Sequence, residues 1–199
     1  MGHVVRYATI VACAMVLVAS AGCGSSPTRF YALSTLSQGA GQAGGAARSG
    51  PALGVGPVAV PERLNRPEIV TWVNDNMLHL AEFDRWGAPL QDSATRVLAE
   101  NLSVLLSTER VAIFPWPSDI PIDYEVRVEV SRLDGTLGRD CSLIARWSIF
   151  RRADKQTKAG RSSHTEPAGD SYATLVAAQS RLIATLSRDI AVALGAGGW

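Results

Sequence analysis

Between Tyr124 and Val130 apolar and charged residues alternate without a break, with Val126, Val128 and Val130 on one parity and Glu125, Arg127 and Glu129 on the other. A two-residue period turns the valines toward a core and the charges into water, so this segment is predicted as a half-buried strand. A turn over Gly135–Asp140 leads to a second strand, Ser142–Arg151, with Leu143, Ala145, Trp147 and Ile149 on its inner face. Lys155–Gly160 is the next turn, and Arg161–Glu166 pairs back as a shorter strand. Upstream, Arg29–Leu33 reads as a first strand and Leu53–Val60 as another, with Pro57 at an edge or bulge. Glu68–Trp72 and Met77–Phe83 flank a turn at Asp75-Asn76, and Val111–Phe114 is stopped by Pro115, Pro117 and Pro121.

Two segments change period. From Leu90 to Leu106 the apolar residues Ala94, Val97, Leu98, Leu102, Leu105 and Leu106 share one side of a helix. A longer helix runs from Asp170, read as its N-cap, to Leu194 before Gly195, with a stripe of Leu175, Val176, Leu182, Ile183, Leu186 and Ile190. Burying six such side chains is worth on the order of 10 kcal/mol before entropy. Strands on both sides of a central helix, closed by a terminal one, predict an α+β fold. A single domain results, with a mixed β-sheet and the central and long C-terminal helices packed mainly on one of its faces.

The N-terminus has a different pattern. Arg6 precedes an apolar run, Ala8–Ala19, which ends in Ser20-Ala21-Gly22-Cys23. The run is shorter than the roughly 20 residues a membrane-spanning helix needs, and it has the order of an export signal. Small residues directly before a cysteine resemble the lipobox of bacterial lipoproteins. That resemblance implies a diacylglyceryl group on the Cys23 thiol, cleavage at Gly22–Cys23 and further acylation of the new N-terminus. Two or more chains hold a protein stably where one holds it marginally. Ser20 departs from the lipobox, which usually has an aliphatic residue there. The chain thus divides into a signal peptide at 1–22, a tether at 23–28 and a domain at 29–199. Within the domain, the Gly/Ala-rich segment 37–51 reads as a flexible loop.

Charge and chemistry narrow the function classes. The 199 residues carry 19 Lys+Arg against 18 Asp+Glu, and no basic block of the kind a nucleic-acid binder uses is visible. Removal of Cys13 and lipidation of Cys23 leave Cys141 without an internal partner, as a small half-buried strand residue. His79 and His164 lie in strands, and no HExxH, CxxC, GxSxG or GxxxxGK[ST] motif is present. No metal or cofactor is therefore expected. Glu125, Arg127 and Glu129 read as a solvated ladder, and Asp134 and Asp140 as hairpin-turn residues. With no nucleophile beside a base, the sequence points to binding and not to catalysis.

A family resemblance fits this reading. It is carried by Leu64-Asn65-Arg66-Pro67-Glu68-Ile69-Val70, by Leu80 to Leu90 (LAEFDRWGAPL) and by Arg96 to Leu102 (RVLAENL). It resumes at Val126-Arg127-Val128-Glu129-Val130, Leu133-Asp134-Gly135 and Leu143-Ile144-Ala145-Arg146-Trp147, and Phe30-Tyr31-Ala32-Leu33 fits it too. The chain resembles the ABC-type transport auxiliary lipoproteins, the PqiC-like family. The resemblance implies an outer-membrane lipoprotein facing the periplasm, where Gly24 in place of an inner-membrane retention Asp agrees. It implies partners among MCE-domain proteins and inner-membrane transporter subunits that move lipids or other apolar compounds, with homo-oligomers as a further option, and it supplies no catalytic residue. A lipoprotein that scaffolds or regulates cell-wall assembly would share the tether and the missing chemistry. Loop aromatics are the expected partner contacts, Trp86 and Trp116 first and Trp199 after them. Arg66 and Trp147 fit either core or contact, Trp147 facing inward by alternation.

Overall fold

The computed structural model describes residues 27–36 and 50–195. Cys23, the signal segment, residues 37–49 of the Gly/Ala loop and Trp199 lie outside the described residues.

Alternation sets the larger sheet. Strands β2 (Leu53–Ala59), β5 (Val111–Ile113), β6 (Tyr124–Gly135), β7 (Asp140–Arg151) and β8 (Gln156–Pro167) assemble in the order β5-β2-β6-β7-β8. The neighbours of β2 run parallel to it, and β6, β7 and β8 form an antiparallel meander. Val126, Val128, Val130, Cys141, Leu143, Ala145 and Ile149 are buried on the inner face together with Leu53 and Val55. A smaller sheet has the order β1-β4-β3, built from β1 (Arg29–Tyr31), β3 (Glu68–Asn74) and β4 (Met77–Trp86). Its separation from the larger sheet has no counterpart in the apolar pattern, which reports faces and not strand partners.

The helices α1 (Leu90–Leu105) and α2 (Tyr172–Gly195) cover the inner face, α1 against β2 and β5, α2 against β7 and β8. All six residues of the expected α2 stripe are buried. The α+β expectation holds, with both helices on one side of a mixed sheet. The helices meet at a polar contact: Asn101 Nδ2 donates to Ser187 Oγ at 3.2 Å, and Asn101 Oδ1 accepts the Leu36 amide at 2.7 Å. That bond, with the Ser34 amide on Ser180 Oγ, lays the chain after β1 across the helix pair.

Several local expectations are corrected. Leu105, the last residue of α1, is exposed rather than part of the buried side. The start of α1 has no side-chain cap at Pro89; Asn65 Oδ1 accepts the Gln91 amide instead. Ser171, not Asp170, caps α2, its Oγ accepting the Thr174 amide. Strand β8 is a full partner of β7 from Gln156, so the turn is shorter than Lys155–Gly160 suggested. Gly160 belongs to the strand, where a Cβ would stand 2.2 Å from the Trp147 ring. Cys141 is fully buried and not half-buried. A bulge between Val130 and Arg132 shifts β6 by one residue, so that beyond it Leu133, opposite Leu143, takes the inner face and Asp134, opposite Ser142, the outer one, where it is nonetheless fully buried. Asp134 is thus a buried carboxylate on the sheet's outer face, held by Arg63 at 2.9 Å and Arg132 at 3.1 Å, and not a turn residue.

Candidate functional site

Carboxylates are the first place to look for chemistry. Asp84 is buried at the junction of β1 and β4, with Arg29 Nη2 on one oxygen at 2.8 Å and the Tyr31 hydroxyl on the other at 2.6 Å. Burial pushes its carboxyl up, and the bonds from Arg29 and Tyr31 outweigh that and hold it below the usual range. Burial and the same carboxylate raise Tyr31. Glu125, expected in a solvated ladder, is buried beside Arg127 and Arg152, because Arg152 closes over it from the β7–β8 turn. Each cluster is a carboxylate matched by donors, with no open position for a substrate.

Ser162, His164 and Asp189 come together between β8 and α2. Ser162 Oγ and His164 Nε2 both reach Asp189 Oδ2, His164 at 2.7 Å. Trp147 Nε1 donates to Ser162 Oγ at 3.2 Å. The hydroxyl proton is thus directed at the carboxylate and not at the imidazole, whereas an activated serine needs the base on its own oxygen. The group ties β8 to α2. Among the described residues no three His, Cys, Asp or Glu side chains gather as a metal site. Burial, with the nearby Asp134 charge, pushes the Cys141 thiol up to about 12, which leaves it unreactive.

The partner contacts read from the sequence separate sharply. Trp86 is only 6% exposed, with its amide on Pro67 O at 2.8 Å, so it packs the core and offers nothing to a partner. The loop signal from Asp84 to Gly87 misled, because β4 continues through Trp86. Trp147 is half-buried on Gly160, and Arg66 is bonded to Glu68 on the surface. Trp116 is half-buried, and its ring lies over Gly54, where a Cβ would stand 3.0 Å from it.

Beside Trp116 the structure exposes what the sequence did not mark. Phe114 meets Trp116 edge-on at 5.5 Å and 84°, yet is 51% exposed, with Ile113 and Ile120 also open. The cause is local: β5 is the edge strand, the Phe114 amide still bonds Val55 O at 2.9 Å, and Pro115 and Pro117 end the strand there, so no further strand flanks the two aromatics. Ile113 borders two grooves. One, of about 460 Å³, lies between α1 and β5 and is lined by Leu36, Ala99, Val104 and Val111 among others. The other, of about 410 Å³, runs along Pro57, Thr95, Phe114 and Pro115. The exposed apolar rim is thus flanked by two grooves.

Comparisons with known proteins agree with this architecture. Among curated proteins no sequence matches. A crystal structure of an uncharacterized protein superposes with a TM-score of 0.66 at 19% identity, covering 85% of this chain and 99% of that one. The crystal structure of protein XCC0632 from Xanthomonas campestris gives 0.66 at 14% identity, covering 82% and 93%. At these identities the likeness establishes the fold. The family model of the ABC-type transport auxiliary lipoprotein component matches residues 31–191, from β1 through most of α2. The chain belongs to the family of ABC-type transport auxiliary lipoprotein components.

Proposed function

We propose that the protein is a lipid-anchored accessory subunit of an MCE/ABC-type envelope transport system, holding its domain in the periplasm and acting by docking onto transporter subunits. The family match over residues 31–191 carries the reading. The apolar run and the small residues that end at Cys23 support a lipid attachment there, and Gly24 favours the outer membrane. The compounds moved are lipids or other apolar molecules, and this domain has no catalytic part in moving them. Confinement near one membrane raises its effective concentration for a partner, so a modest interface suffices. Ile113, Phe114 and Ile120 form that interface, with Trp116 bracing Phe114 from the side.

The test is a pull-down of the full-length protein in detergent, comparing wild type with Phe114→Ser and Ile113→Ser. Wild type should retain an MCE-domain protein or an inner-membrane transporter subunit. Each variant should lose most of that retention with an unchanged melting temperature, because both side chains are already solvated. Retention of cell-wall synthases alone would replace this reading by the scaffold function.

A further inference from the structure

Strand β1 lies in parallel register with the end of β4: Arg29 opposite Asp84, Phe30 opposite Arg85 and Tyr31 opposite Trp86. Paired residues share a face and successive ones alternate. Arg29 and Tyr31 therefore reach the buried Asp84, while Phe30 points the other way and is 69% exposed. Glu68 pairs with Arg85 across the next ladder, so Phe30, Arg85 and Glu68 form one row over all three strands. Arg66 Nε adds a bond to Glu68 at 2.8 Å, and an Arg85 nitrogen stands 3.8 Å from the same carboxylate. Two guanidinium groups thus share one carboxylate beside a solvated phenyl ring.

We propose that this open face of the small sheet, Phe30 with Arg85 and Arg66, rests on the bilayer that holds the Cys23 lipid and so fixes how the domain stands on its membrane. The inference depends on the lipid-anchor reading above. Its ground is the length of chain before β1. Phe30 is seven residues after Cys23 in the sequence, and an extended chain spans at most 3.6 Å per residue, so the ring stays within about 25 Å of the lipid attachment. Among the described residues the other large exposed apolar side chains begin at Val73. A protein arriving from the opposite membrane would have to enter the gap between this face and the bilayer. The chemistry matches an interface: an aromatic ring sits at headgroup depth, and guanidinium groups bind phosphate oxygens while their stems lie along apolar surface.

The test uses the acylated full-length protein in vesicles of phosphatidylethanolamine and phosphatidylglycerol. Phe30→Cys carries an environment-sensitive fluorophore, and Ala159→Cys, on an exposed position of β8, carries the same label as reference. Native Cys141 stays unlabelled because it is buried, and Cys23 is blocked by its lipid. Expected results are a blue-shifted emission at position 30 and loss of most of it when the lipids carry a quencher near the headgroup, with neither change at position 159. Phe30→Cys with Arg85→Gln should be quenched less than Phe30→Cys alone. The vesicles hold no other protein, so quenching reports lipid alone. Equal responses at both positions, or a water-exposed label at position 30, would overturn the proposal. Mass spectrometry of the N-terminal peptide separates the two levels: a Cys23 without acyl chains sinks anchor and orientation together, whereas an acylated Cys23 with a solvated label sinks orientation only.

Discussion

At the scale of single residues, Asp84 links β1 to the rest of the protein through its charge. Its folded carboxyl is held below the ordinary 3.8, so the unfolded chain takes up the proton first as pH falls. The stability it contributes is therefore complete at neutral pH and is lost below about pH 4, as the lowered value is passed. Asp84→Asn keeps the shape and removes the charge that Arg29 and Tyr31 address. At pH 7 the variant should be about 2 kcal/mol less stable, the value of a charge-assisted hydrogen bond. The gap between the two proteins should close on acidification, with denaturant melts at pH 7 and pH 3 as the measurement. A constant gap would mean that Asp84 acts through packing alone.

At the scale of elements, α2 and β6 show what a sequence pattern carries. The stripe on α2 and the valines of β6 are buried as their periods require, since burial of a face is a local property of spacing. Leu182→Asp places an unpaired charge in that core and should unfold the domain. Arg181→Ala removes a bond between Arg181 and Glu166, both partly exposed, and should shift stability by about 0.5 kcal/mol or less. Thermal melts that ranked these two the other way would invalidate the facing of the helix. The pattern failed where one residue slipped. Asp134 stands before Gly135, the signature of a turn, yet β6 runs through both, and the bulge after Val130 changes the parity so that Leu133 and not Asp134 shares the face of the valines. Trp86 failed for a related reason, because a strand that ends on an aromatic looks, in sequence, like a loop that begins with one. The exposed rim at Ile113 and Phe114 was legible in part: the prolines marked the end of β5, but which neighbour is missing there depends on strand order.

At the scale of the whole molecule, the ties that close the fold are distant in sequence. The Ala52 amide meets Asp123 across 71 residues, and the Ser34 amide meets Ser180 across 146. Beta2 has no adjacent strand in the chain to pair with; its neighbours are β5 and β6, with β3, β4 and α1 between. Chains whose contacts close such long loops fold in milliseconds to seconds, since loop entropy is lost before the contacts return it. Refolding from denaturant, followed by tryptophan fluorescence in a stopped-flow instrument, should fall in that range, and a microsecond phase of full amplitude would contradict it. For a polypeptide threaded through a translocation pore from its N-terminus, this order of events is useful. Leu53 emerges long before Tyr124, so the central ladder cannot lock while most of the domain is still on the other side, and slow closure keeps the trailing chain pliant enough to pass.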